Sequence, residues 1–165
     1  MNKKTFLIFF IFLSSCSGVE FVYKNDTNLT NPIYDKSYLS YSGEDIPALK
    51  RNAPLYFGGN KINDFSLNIE VKENKSKRSV QSNQAASKVD YTLVLSYKLI
   101  DNNMSCEVYN KKITSRFSYE PKSSGYNFGS DQSLDRLYEL SVKNNLREFV
   151  TFLSGTNLNN CINEN

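Results

Sequence analysis

The sequence predicts an α+β protein: a single antiparallel or mixed sheet of about four strands, with two helices packed on one face. Three observations lead there. Apolar and polar residues alternate through Phe65-Leu67-Ile69-Val71 and again through Tyr91-Leu93-Leu95-Tyr97-Leu99, which is the pattern of strands with one dry and one wet face. Leu134, Leu137, Tyr138, Val142, Leu146, Phe149, Val150 and Leu153 recur at helical spacing. Eleven Tyr and eleven Phe favour β structure. Two helices laid on one face of such a sheet bury both apolar stripes.

The elements follow in order. Residues 19–23 are extended and residues 24–36 (KNDTNLTNPIYDK) read as a loop. Residues 37–41 form a strand. A short helical segment spans 43–57, with Glu44 and Asp45 at its start and Pro47 at an early, tolerated position. Pro54 should kink or end it, and Gly58-Gly59-Asn60 is a stop signal. Residues 73–88 (ENKSKRSVQSNQAASK) are a polar stretch between the two alternating strands. Asp101-Asn102-Asn103 is a turn, and residues 104–119 form a third long strand, making a hairpin with the second. A loop at 121–130 leads to the last helix, capped by Ser130 with Asp131 in its first turn. Gly155 ends that helix. Residues 156–165 read as a flexible tail.

The N-terminus carries a separate signal. Lys3 and Lys4 form a charged head, residues 6–13 (FLIFFIFL) an apolar core, and Leu13-Ser14-Ser15-Cys16 a cleavage point. That is the layout of a secretory signal peptide; the apolar run is far short of the ~20 residues a membrane-spanning helix needs. Leu, two small residues and Cys resemble the bacterial lipobox. The resemblance implies cleavage after residue 15, lipid on Cys16, and acylation that anchors the chain stably. Ser17, rather than Asp, follows the cysteine, which by resemblance to enterobacterial sorting favours the outer membrane. The organisation expected is a signal peptide at 1–15, a lipidated N-terminus with a linker or first strand at 16–36, an α+β domain at 37–155 and the tail.

Composition narrows the function. The formal charge of +3 includes Lys3 and Lys4, so the mature chain is close to neutral and does not read as a nucleic-acid binder. About 150 mature residues suit one domain. Cys106 and Cys161 remain after lipidation of Cys16; in an oxidising compartment they either bridge or stay as one buried thiol and one in the tail. There is no histidine, hence no imidazole base, and no glycine-rich phosphate loop or nucleophile elbow is present. Cys and carboxylates do not cluster at metal-ligand spacing. The chain reads as a non-enzyme without cofactor or metal.

The lipobox followed by Gly18-Val19-Glu20-Phe21 resembles the start of the LptE family, lipoproteins of the lipopolysaccharide translocon. The resemblance continues through the short helix around 45–57, the strand VDYTLVLSYKLID (89–101), and the strand, loop and helix of KKITSRFSYEPKSSGYNFGSDQSLDRLYELSVKNNLREFV (111–150). It implies a plug and assembly aid for the outer-membrane barrel LptD, and contact with lipopolysaccharide. In that family basic residues leading into the central strand, and near the loop before the last helix, meet lipopolysaccharide. The matching positions here are Lys77, Arg78, Lys88 and Lys122, whereas Gln84 and Ala85 depart from the pattern.

Read from the residues alone, Lys72, Lys75, Lys77, Arg78 and Lys88 form a basic cluster suited to phosphate, or else a solvated loop. Tyr91, Tyr97 and Phe117 read as core; Tyr109 and Tyr119 share their strands. Tyr126 and Phe128, in the loop, are the candidate partner interface. An alternative reading is a free-standing, periplasm-facing lipoprotein that binds a ligand or supports another envelope machine, since fold does not fix function. That reading requires a sizeable pocket.

Overall fold

The computed structural model describes residues 31–59, 62–80, 86–120 and 131–162. Six elements follow one another: β1 (Ser37–Gly43), α1 (Pro47–Phe57), β2 (Phe65–Val80), β3 (Ala86–Asp101), β4 (Cys106–Tyr119) and α2 (Asp131–Ser154). The strands make one sheet in the order β1-β2-β3-β4. β1 runs parallel to β2, with Ser37 beside Phe65 and Gly43 beside Val71. β2, β3 and β4 form an antiparallel meander. The fold is thus α+β with a mixed sheet.

Period-two alternation sends one set of side chains under the helices. Leu67, Ile69 and Val71 of β2, Leu93, Leu95, Tyr97 and Leu99 of β3 and Ile113 of β4 are buried. Leu49, Ala53 and Phe57 of α1 and Val142, Leu146, Phe149 and Leu153 of α2 join the same core. Phe149 stacks on Tyr97 with ring centroids 3.9 Å apart and meets Phe57 edge-on at 5.9 Å. Each such side chain contributes about 1.5–3 kcal/mol by leaving water.

Several boundaries differ from those expected. The first helix begins at Pro47, not at residue 43, because Gly43 is the last residue of β1. Its φ is +82°, and a Cβ there would lie 2.1 Å from the Val71 carbonyl oxygen. The chain turns away from the sheet at this glycine, and Glu44 and Asp45 fall before the helix. Pro54 lies inside α1, which continues to Phe57. Only the last turn follows it, so the missing N–H forfeits a single intrahelical bond; the Gly58 N–H closes the helix on the Pro54 carbonyl at 2.9 Å.

The polar stretch 73–88 is largely strand. β2 runs to Val80 and β3 starts at Ala86, and paired backbone holds them, with Glu73 beside Leu93 and Lys77 beside Val89. β4 starts at Cys106, not at 104, because the Asp101 carboxylate accepts the Asn103 and Met104 N–H groups at 2.8 and 3.0 Å and holds the turn.

The segment after α2 is held through residue 162, contrary to the expectation of a flexible tail. Cys161 is disulfide-bonded to Cys106, with Cα atoms 5.8 Å apart. The Ile162 N–H donates to the Glu107 carbonyl at 2.7 Å, and Leu158 packs into the core. A disulfide, a backbone hydrogen bond and a buried leucine together fix what composition alone made look loose.

Candidate functional site

The end of the sheet where β2 passes to β3 gathers most of the basic residues singled out in the sequence. Register sets Lys77 beside Val89 and Ser79 beside Lys88, so Lys77, Arg78 and Lys88 share this end. Carboxylates lie among them. Arg78 Nε is 2.7 Å from Asp90 Oδ2, and Asp90 Oδ1 also accepts the Ser118 hydroxyl at 2.6 Å. Lys88 is 3.7 Å from Glu120, Lys75 2.8 Å from Glu73 and Lys72 3.1 Å from Glu70. The cluster is therefore largely charge-compensated. An anion arriving here displaces carboxylates or adds to Lys77, which is exposed.

On the helix side of the same end, three aromatic rings enclose a carboxylate. Tyr91 stacks on Phe117 at 4.9 Å, and Tyr138 of α2 meets both edge-on at 5.7 and 5.0 Å. The Tyr138 hydroxyl donates to Glu73, and Lys75 lies 5.6 Å from the Tyr91 ring centroid. Burial, then the hydrogen bond to Glu73, raises the Tyr138 pKa. The hydrogen bond to Glu73 raises that of Lys75. The hydrogen bond from Tyr138 to Glu73 makes this cluster a polar clasp tying α2 to β2.

The sheet's other face carries no helix among the described elements. Ser66, Asn68, Glu70 and Lys72 of β2, Thr92, Val94, Ser96 and Lys98 of β3, and Lys112, Thr114, Arg116 and Ser118 of β4 alternate with the buried set. Most of its charges are paired: Lys98 lies 2.7 Å from Glu107, whose pKa is lowered by hydrogen bonds from Lys98 and Asn110. The side chains of Lys112 and Arg116 have no ion pair or hydrogen bond with any other described residue. Sequence reasoning passed over both. The period-two reading of KKITSR, with Ile113 inward, was the signal that sets Lys112, Thr114 and Arg116 together on the wet side.

Lys122, Tyr126, Phe128 and Cys16 lie outside the described residues, as does Ser130. Tyr91 and Tyr97 are buried; Tyr109, Phe117 and Tyr119 are half-buried, with Tyr109 5.9 Å from Phe149. A shallow pocket of about 140 Å³ lies between Tyr41, Glu44, Leu49 and Val71. It is small beside the ~300–1,000 Å³ of ordinary ligand sites. Among the described residues no three His, Cys, Asp or Glu side chains come together as metal ligands, and no described helix is long and apolar enough to cross a membrane.

The architecture defines a class: a four-stranded mixed sheet covered on one face by two helices. No protein-family model and no curated protein matches the sequence. Solved structures do match in shape. A Caulobacter crescentus protein assigned as a lipoprotein superimposes with TM-score 0.52 at 14% identity, covering 71% of this chain and 88% of its own. A minor lipoprotein from Acinetobacter baumannii gives 0.47 at 13%, covering 75% and 94%. The rare lipoprotein B of Shewanella oneidensis gives 0.44 at 13%, covering 71% and 96%. The likeness to the Caulobacter protein is one of fold.

Proposed function

We propose that this chain is a lipid-anchored envelope lipoprotein that serves, like the LptE family it resembles, as plug and assembly aid for an LptD-like outer-membrane barrel in lipopolysaccharide transport. The observation that carries the anchor is Leu13-Ser14-Ser15-Cys16 directly behind a short apolar run and a charged head. The shared fold of the Caulobacter lipoprotein supports the class. The element order that suggested LptE in the sequence is also the order of the folded chain. In this reading Lys77, Arg78, Lys88 and Lys122 meet the anionic groups of lipopolysaccharide, and Tyr126 and Phe128 meet the barrel. The free-standing ligand-binding alternative draws no support from the pocket beside Gly43, which is small and shallow.

The test is affinity capture of the full chain from detergent-solubilised outer membrane. Recovery of a large β-barrel, together with reduced surface lipopolysaccharide on depletion, is the expected result. Recovery of the chain alone, with surface lipopolysaccharide unchanged, refutes it. Labelling with a fatty-acid analogue tests the anchor separately: the label should be lost in Cys16→Ala.

A further inference from the structure

We propose that the outer edge of β4, from Asn110 to Ser118, receives an extended acidic strand of a partner protein. The inference stands apart from the reading above, since it rests on the edge and not on the family resemblance.

β4 is the last strand of the sheet. Every second residue of such an edge strand turns its N–H and C=O away from the β3 ladder. Its pairing with β3 is regular from Val89 beside Tyr119 to Leu99 beside Tyr109, and the register shift comes only after Leu99. Two of the devices that spoil an edge, a bulge and a proline, are missing from 110–118; the third, basic side chains that repel a like-charged strand, is present as Lys111, Lys112 and Arg116. The Cys106 end of the same edge already holds an extended piece of this chain, through the Ile162 N–H on the Glu107 carbonyl. The edge is competent to bind backbone, and within 110–118 a described side chain reaches the main chain at Ile113, whose carbonyl accepts from Asn145 Nδ2 at 3.1 Å.

Charge identifies the occupant. From residue 108 to 119 the strand holds Lys111, Lys112 and Arg116 and no acidic residue. Lys111 lies 4.2 Å from the Phe152 ring centroid, while Lys112 and Arg116 sit exposed on the open face. Directly opposed cross-strand pairs gain from opposite charge and lose from like charge. A second copy paired antiparallel about Thr114 sets Lys112 of each chain opposite Arg116 of the other, so self-pairing is disfavoured. A strand with Asp or Glu two positions either side of its centre sets carboxylates against both cations while its backbone completes the ladder.

The probe is a fluorescein-labelled nine-residue peptide of alternating Glu and Val, titrated into the full chain in detergent. Two controls accompany it: an alternating Lys and Val peptide, and the acidic peptide with a central proline. Binding of the acidic peptide alone, with slowed hydrogen exchange in residues 110–118, is expected. The Lys112→Glu, Arg116→Glu double variant should bind at least tenfold more weakly at unchanged melting temperature; should it unfold, Lys112→Gln with Arg116→Gln takes its place with a smaller loss. Equal binding of the proline peptide means attraction without strand pairing and overturns the proposal. So do failure of the acidic peptide to bind, protection confined to other residues, and self-association through 110–118.

Discussion

The hydroxyl of Tyr97 donates a 2.7 Å hydrogen bond to Oδ1 of Asn145, joining the middle of β3 to α2 where both side chains are buried. Asn145 Nδ2 in turn donates to the Ile113 carbonyl at 3.1 Å and to the Ser115 hydroxyl at 3.0 Å. One amide thus satisfies polar groups from two strands under the helix. Tyr97→Phe leaves Asn145 Oδ1 without that donor and should cost about 1–3 kcal/mol. Asn145→Ala strands three groups and should cost more. Urea unfolding of both variants checks the order; an Asn145→Ala loss no larger than that of Tyr97→Phe contradicts it.

The backbone at Gly43 makes a second prediction. Gly43→Ala must place its methyl against the Val71 carbonyl at a positive φ. The left-handed backbone alone costs roughly 1–2 kcal/mol, and the clash adds to it. Gly59→Ala is the control, since a Cβ there meets nothing within 4 Å. Thermal melts should show a clear drop for the first and little change for the second.

Removing the Cys106–Cys161 bond should destabilise the chain by up to about 4 kcal/mol in the chain-entropy description, given the 55 residues separating the two cysteines. The paired Cys106→Ala, Cys161→Ala variant, compared with the oxidised chain in denaturant, measures it. Hydrogen exchange at Ile162 should accelerate in the same variant, because the disulfide holds that residue to β4. Unaltered exchange there means the backbone contact is self-sufficient.

Acid should loosen the seam between the helices. Asn52 Nδ2 donates to Glu139 at 2.7 Å, and Arg51 and Lys143 each lie 3.2 Å from the same carboxylate. The hydrogen bond from Asn52, then those from Lys143 and Arg51, lowers the Glu139 pKa below its ordinary 4.5. A carboxyl depressed in the folded state contributes stability that is complete above its unfolded value and is lost as pH falls through the folded one. The stability advantage of the native chain over Glu139→Gln should therefore hold from neutral pH down to about 4.5 and shrink below it. Urea unfolding across that range reads it out, and a pH-independent difference refutes it.

What the sequence made legible was whatever burial writes into it. The alternation of 65–71 and 91–99 and the helical stripe ending at Leu153 located the core, because those positions are apolar for the reason they are inside. Residues 73–80 carry no such mark. Beyond Lys72 the strand is held by its ladder with β3, and Lys75 and Lys77 occupy positions that an apolar pattern would have filled. The cysteine pair and the order of the tail depend on a meeting of distant residues, which local composition does not record. At the candidate site the basic types were visible, but their carboxylate partners Asp90, Glu73 and Glu120 became partners only through register. Lys112 and Arg116 escaped notice because what distinguishes them is the lack of such a partner among the described residues.

The parallel pairing of β1 with β2 has a consequence for how the chain assembles. β1 is the first of the described strands to be made, yet its neighbour Phe65 lies beyond the whole of α1. The meander β2–β3–β4 joins strands adjacent in sequence and closes on comparatively local contacts, which form fastest. Contact order therefore favours a route in which the three-stranded meander closes before β1 and α1 dock onto it, so that the parallel pairing is the slower contact to make.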